Sequence, residues 1–403
     1  MSTGFAVAPN DSRVPLFSTA AIVLGAVIIG IVFGANTGLL MIVGGLLGLV
    51  LYHAAFGFTA AWRVFITERR GRGLRAQMVM LAIAVVLFFP ALGAGSLFGT
   101  SVSGFVAPIG ISVVVGAFIF GVGMQLGGGC ASGTLFTAGG GNARMLITLL
   151  FFIVGSVIGT AHFTWWQSLP AFQPVSLVNV AGAGGGIAIS LVLFAAIALL
   201  TVIMEKRRHG HLEQAPLVDK PGSQRWLTGP WPLIVGAVAL ALLNFATLAL
   251  AGRPWGITSA FALWGAKGFE LVGGDVSQWG YWQARGNAAA LEASVWGDIT
   301  TVMNVGIMLG ALAAASLAGR FAPNFRIPVK SLVAAVIGGI MLGYGARLAF
   351  GCNIGAYFSG IASGSLHGWV WLVAAFAGNM VGVKLRPFFF DGVEGRQFAA
   401  KSC

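Results

Sequence analysis

The chain has 403 residues, of which 57% are hydrophobic and 8% charged. A soluble domain carries about a quarter of its residues as charge, so the composition excludes a water-soluble globular protein and places the chain in a lipid bilayer. The net charge of +12 reflects topology rather than nucleic-acid binding, because the basic residues cluster in short segments between apolar runs.

In chain order, apolar segments are predicted at 16–35, 38–62, 76–95, 109–126, 145–163, 182–204, 230–250, 299–318, 331–349 and 368–386. At ~20 residues per crossing these make about ten membrane helices. The fold class is all-α and polytopic. Residues before Arg13 are polar, and no cleavable leader is expected. Residues 63–75 hold five arginines and one glutamate, and residues 319–330 hold Arg320, Arg326 and Lys330 with no acid. Placing the basic loops in the cytoplasm puts both termini there. The alternate loops 96–108, 164–181 and 351–367 contain no Asp, Glu, Lys or Arg. The stretch 251–298 departs from this pattern, with both charge signs and Trp255, Trp264, Trp279, Trp282 and Trp296. It suits an outer-interface lid or a re-entrant element. The basic stretch 205–229, with Pro216, Pro221 and Gly222, divides a first transmembrane half (1–204) from a second (230–403).

Two glycine-rich cysteine segments repeat across that division. Gly121 to Phe136 and Gly343 to Phe358 match at seven of sixteen positions, including Cys130 with Cys352 and Phe136 with Phe358. On the charge-derived topology the two segments cross in opposite directions. An inverted repeat in an apolar chain marks a transporter, with a substrate site near the midplane between broken helices.

The local chemistry supports such a site. Gly127-Gly128-Gly129-Cys130 cannot continue a stable helix, since each Gly costs up to about 1 kcal/mol against Ala. A short helix restarting near Ala131 turns free N–H groups and a positive dipole end toward the gap, which suits an anion. Gly351-Cys352-Asn353 repeats the arrangement. A thiol is a weak, polarizable donor, better matched to a soft sulfur atom than to a hard oxyanion. A lone buried cysteine is usually inert packing; two in matching glycine patterns point to a pathway. Arg347 is an intramembrane charge and a functional candidate by default, with Gln125 as its counterpart in the first repeat. The candidate substrate-binding residues are therefore Cys130, Cys352, Gly128, Gly129, Gly351, Arg347, Asn353 and Gln125. Asn142, Asn304 and Asn379 are expected to tie helices together. His53, His162 and His367 lack metal-ligand spacing, so neither a metal nor a cofactor is expected. Without a Walker A loop, His-Glu-x-x-His or Gly-x-Ser-x-Gly, the chain is expected not to be an enzyme. Cys403 reads as a free thiol on a tail.

These motifs, Gly-Gly-Gly-Cys130-Ala-Ser-Gly and Gly351-Cys352-Asn-Ile-Gly, each after a Gly-x-Gly, resemble the signature of the YeeE/YedE family over roughly residues 30–386. The length and long middle loop are similar to its larger YedE-like branch. The resemblance implies a bacterial inner-membrane importer of thiosulfate or a related sulfur-containing anion. Helices would surround a narrow, hourglass-shaped pore, and thiols would pass the anion on by S–H to S contacts without covalent chemistry. It places Cys130 and Cys352 as two of the pore thiols, and implies a small TusA-like sulfur-carrier protein as a cytoplasmic partner. The family's third cysteine is commonly found in a Phe-Cys-Phe-like stretch before an Arg. Here that stretch is Phe56-Gly57-Phe58, followed by Arg63, with Gly57 in the place of the thiol. Other readings stay open: a selenium-compound permease, a dithiol redox membrane protein, and a scaffold for sulfur-carrier proteins.

Overall fold

The computed structural model describes residues 13–214 and 222–391. The polar stretch before Arg13, the centre of the 205–229 linker and Cys403 lie outside them. Ten candidate membrane spans occur among the described residues, the number predicted, in an all-α polytopic fold. In order the helices are α1 (Arg13–Phe33), α2 (Ala35–His53), α3 (Phe58–Glu68), α4 (Arg72–Ala94), α5 (Ile111–Gly127), α6 (Ala131–Gly139), α7 (Ala143–Ala161), α8 (Phe163–Gln167) and α9 (Leu177–His209). Then come α10 (Gly222–Thr228), α11 (Leu233–Ala251), α12 (Thr258–Leu271), α13 (Gly280–Gln283), α14 (Arg285–Glu292), α15 (Ile299–Leu317), α16 (Val329–Leu348), a π segment (Asn353–Ser359), α17 (Gly360–Ala362) and α18 (Leu366–Phe390). Two-residue strands form two short antiparallel pairs, Ser96–Leu97 with Thr100–Ser101 and Ile109–Gly110 with Ala171–Phe172.

The apolar run expected at 38–62 is not one helix. It breaks between His53 and Phe58, where Ala55 takes a left-handed φ of 46°. The reason is amphipathicity: α3 buries Phe58, Trp62 and Phe65 on one face, at the i, i+4, i+7 spacing of a helix with one polar side. The tryptophan-rich stretch 251–298 folds into α12, α13, α14 and a short 3-10 turn. Trp255, Ile257, Ala260, Phe261 and Ala262 are buried, and α12 packs against α7.

Helix packing follows a reciprocal pattern. Helix α5 packs on α18 as α16 packs on α7; α2 packs on α15 as α11 packs on α4; α12 meets α7 as α3 meets α18. Small residues make the close approaches. A Cβ on Gly121 would meet the Ala375 carbonyl and one on Gly378 the Phe118 carbonyl; Gly343 and Gly155 play the same part between α16 and α7. Membrane helices have no hydrophobic drive toward one another, so van der Waals contact at glycine faces supplies the attraction.

At the basic-loop end, the fully buried Glu205 fastens α9 to the turn between α3 and α4. It accepts from Arg75 at 2.7 Å, Arg70 at 3.4 Å, Gly71 N at 3.1 Å and Glu213 N at 2.6 Å. Four donors offset the desolvation that an unpaired buried carboxylate would suffer.

Candidate functional site

Both cysteine segments break as the glycines require. Helix α5 stops at Gly127, and Gly128 takes a left-handed φ of 90° that a Cβ would strain. Gly129 follows, tight against the first turn of α6. Cys130 then caps α6, its Sγ accepting from Gly133 N at 3.4 Å and lying 3.3 Å from Ser132 Oγ. The carbonyls left open at the end of α5 find side-chain donors. Arg386 Nη1 reaches Gln125 O at 2.6 Å, Arg144 Nη2 reaches Leu126 O at 2.6 Å, and Thr148 Oγ1 reaches Gly127 O at 3.2 Å. Two cations at a helix C-terminus also complement its dipole.

The second break is built differently. Helix α16 ends at Leu348, and Phe350 and Gly351 take φ of 57° and 155°. Their neighbours on α18 hold the turn: His367 Nε2 lies 2.9 Å from Ala349 O, and Trp371 Nε1 donates to Gly351 O at 3.1 Å. Cys352 precedes a π segment rather than an α-helix. Its carbonyl accepts from both Ala356 N at 2.8 Å and Tyr357 N at 3.4 Å. Single-turn π segments are rare and concentrate at functional sites.

The fold brings the two thiols into one hydrophobic core. Cys130 is 1% exposed and Cys352 0%, and neither forms a disulfide among the described residues. Helix α6 packs directly on the π segment. Asn353, beside Cys352, is fully buried, and neither its Nδ2 nor its Oδ1 finds a protein partner among the described residues. An orphaned buried polar group costs about 1–3 kcal/mol, and here both ends of one amide bear that cost.

One cavity borders this segment, and a second lies near the turn between α3 and α4. A wide one, of about 370 Å³, is lined by Gly351, Gly355 and Ser359 of the second cysteine segment and by Arg253, Arg347, Thr258 and Tyr281. A narrow one, of about 170 Å³, opens among the basic loops and is lined by Phe56, Gly57, Gln77, Arg70, Arg72 and Glu213. No carboxylate lines the wide cavity.

Arg347 forms no ion pair with an acid among the described residues. Its Nη1 donates to Tyr281 Oη at 2.7 Å and its Nη2 to Thr258 Oγ1 at 2.9 Å, while Nε has no partner among the described residues. Thr258 opens α12, whose N-cap, Ile257, supplies no side-chain acceptor. A guanidinium, a second arginine and an uncapped helix N-terminus therefore converge on one cavity, which suits an anion.

Gln125 stands apart from this group. Its Nε2 donates to Asn379 Oδ1 at 2.7 Å and to Thr59 O at 3.2 Å, tying α5 to α18 and α3. Asn379 and Asn304 tie helices as expected, Asn304 through Ile257 O at 3.0 Å, and Asn142 caps α7. Sequence reasoning passed over Arg253, Tyr281, Thr258, Gln77 and Tyr357. Tryptophan density marked the region of the first three, but Gln77 and Tyr357 carry no local signal.

Comparison with known proteins identifies a family. A family model described as "Sulphur transport" matches residues 53–381. The chain is 28% identical to the thiosulfate transporter TsuA of Spirochaeta thermophila, over 85% of this chain and 96% of that protein. It is 25% identical to TsuA of Escherichia coli, over 84% and 91%. It is 34% identical to the probable transporter YedE of Escherichia coli, over 44% of each chain, so this match spans less than half of YedE. The family is one of transporters, in line with the expectation of a protein that is not an enzyme. From residue 53 to residue 381, with both broken cysteine segments inside the match, the chain belongs to the YeeE/YedE sulphur transport family.

Proposed function

We propose that the protein imports thiosulfate, or a related sulfur-containing anion, across the bacterial inner membrane along a pathway lined by Cys130 and Cys352. The single observation that carries this reading is the pairing of two buried free thiols at helix breaks with a wide arginine-lined cavity bordering the second break and a narrow cavity among the basic loops. The thiosulfate transporters among its relatives supply the substrate class.

On this reading the wide cavity faces the outside. The charges of Arg253 and Arg347 concentrate the anion there, and Gly351, Gly355 and Ser359 admit it toward Cys352. The orphaned amide of Asn353 offers one donor and one acceptor beside the thiol. Both sulfurs are buried, so the structure fits an occluded state, and passage requires the cysteine segments to move. Nothing in this sequence of steps breaks or forms a covalent bond. The reciprocal packing of the two sets of helices supports an internal duplication, with halves at 1–204 and 230–403 joined by the 205–229 linker. A TusA-like carrier would take the anion at the basic-loop face, where Arg70 and Arg72 line the narrow cavity.

The test is uptake of radiolabelled thiosulfate in cells lacking their own importers, at matched membrane expression of wild type, Cys130→Ala and Cys352→Ala. Uptake by wild type that is lost in both variants is the expected result. Uptake unchanged in both would overturn the thiol pathway. A selenium oxyanion or sulfite in the same assay ranks the alternative substrates.

A further inference from the structure

A small set of side chains links residues that line the two cavities. The wide cavity reaches the π segment at Gly355 and Ser359, and the narrow cavity ends on Phe56, Gly57 and Gln77. Tyr357, fully buried, lies in the chain between Gly355 and Ser359 and reaches Gln77. Its ring stacks on Trp371 with centroids 6.3 Å apart and meets Phe58 and Trp62 edge-on at 6.0 Å each. The Tyr357 hydroxyl donates to Gln77 Oε1 at 3.5 Å, the outer limit of a hydrogen bond. Trp62 Nε1 donates to the same oxygen at 3.0 Å.

That shared oxygen orients the amide. An indole N–H only donates and a tyrosine hydroxyl has a donor to give, so the end of Gln77 facing Trp62 and Tyr357 is the oxygen. Its Nε2, with two N–H groups, is turned elsewhere and donates to no described residue. Gln77 is only 1% exposed, yet it lines the narrow cavity. Its acceptor is used twice, and its donors are free for an acceptor that enters the cavity it lines. Arg70 and Arg72 line the same cavity with one acid, Glu213. Arg70 is 3.4 Å from Glu205, and Arg72 is 3.9 Å from Glu213, so each arginine already has a partner at the cavity wall.

We propose that Gln77 is the anion-receiving residue on the basic-loop side, and that Tyr357 and Trp62, both bonded to its oxygen, form the gate separating it from Cys352. The ligand class is a small oxyanion, recognised through its acceptor oxygens by a neutral amide. Neutrality matters in a conducting path, where a site must release what it receives. Tyr357 lies on the π segment that Cys352 begins, so a shift of that segment moves the thiol and the gate ring together. The proposal rests on the transport reading, and its test keeps the two separable.

Three variants are made: Gln77→Glu, Gln77→Met and Tyr357→Phe. Gln77→Glu preserves the oxygen that Trp62 and Tyr357 use but replaces the N–H donors with an acceptor. Thiosulfate uptake is expected to fall by at least about tenfold. A second readout is the labelling rate of Cys352 by a membrane-impermeant thiol reagent. It is measured in vesicles exposing the basic-loop face, on a Cys130→Ser, Cys403→Ser background. Tyr357→Phe and Gln77→Met are expected to raise that rate severalfold, and Gln77→Glu to leave it unchanged, a split that a general packing defect does not produce. Wild-type uptake in Gln77→Glu overturns the receiving role. Wild-type labelling in Tyr357→Phe overturns the gate. If Gln77→Met fails to assemble, Tyr357→Phe, which loses one atom, still decides the gate. If wild type takes up no thiosulfate, the transport reading and the receiving role both fail, while the labelling rates still decide the gate.

Discussion

Arg347 and Tyr281 are joined across the wide cavity. The guanidinium Nη1 donates to the phenol oxygen at 2.7 Å, and its carbon lies 5.6 Å from the ring centroid. Tyr281 belongs to the tryptophan-rich stretch after α12, and Arg347 stands five residues before Cys352 on α16. This pair therefore fastens the tryptophan-rich stretch to the helix that leads into the second thiol.

Removing the charge at this point weakens anion capture more than it weakens the fold. Arg347→Met is expected to raise the half-saturating thiosulfate concentration by at least about tenfold, the value of a charge-assisted hydrogen bond. Arg347→Lys keeps the charge but loses the fork to Tyr281 and Thr258, and an intermediate value is expected. Concentration-dependent uptake of the two variants checks the order.

Asn353 offers a test in which stability and transport move in opposite directions. Both ends of its amide are buried without a partner, so Asn353→Leu, of nearly equal size, removes a standing cost of about 1–3 kcal/mol per group. The melting temperature in detergent is expected to hold or rise, while uptake falls severalfold. A drop in both would make Asn353 a structural residue.

Gly57 stands where the resemblance places a third thiol, and the structure has room for one. A Cβ there would find its nearest neighbours, Ala60 Cβ and Ala55 O, at 3.7 and 3.9 Å, with φ at −108°. Gly57→Cys is expected to change stability by less than about 0.5 kcal/mol. Because Gly57 lines the narrow cavity, the new thiol should react with a reagent applied to the basic-loop face. Uptake should be retained or raised.

The glycines of the second break differ in what they tolerate. At Gly351, with φ of 155°, a Cβ would press on Ala356 N at 2.8 Å; at Gly355 it would meet nothing within 4 Å. Gly351→Ala is expected to cost about 1–3 kcal/mol and to abolish uptake. Gly355→Ala should fold normally and reduce uptake only as far as it narrows the wide cavity. Thermal melts alongside uptake separate the two.

Buried Glu205 is a purely structural test. Glu205→Leu leaves Arg70 and Arg75 facing an apolar side chain, and breaking such a buried pair typically costs about 3–5 kcal/mol. Loss of assembled protein on size exclusion is the expected readout.

Much of this protein was legible along the chain. Ten apolar spans, a basic set of loops, and two matching Gly-Cys segments are one-dimensional signals, because the bilayer imposes length and the glycines impose breaks. Cys130 as the cap of a restarted helix follows from local backbone preference alone. The tertiary structure decided what depends on which distant side chains meet. It turned Gln125 toward Asn379, 254 positions away, rather than into the cavity with Arg347, because the two breaks are satisfied by different donors despite their matching sequences. It split the run at 38–62 and buried Trp62 and Phe65 of α3 against α18, α4 and α5. It also brought Gln77 to Tyr357 across 280 positions. No periodicity or motif encodes that pairing, because sequence patterns report which face of a helix is apolar and not which helix that face will find.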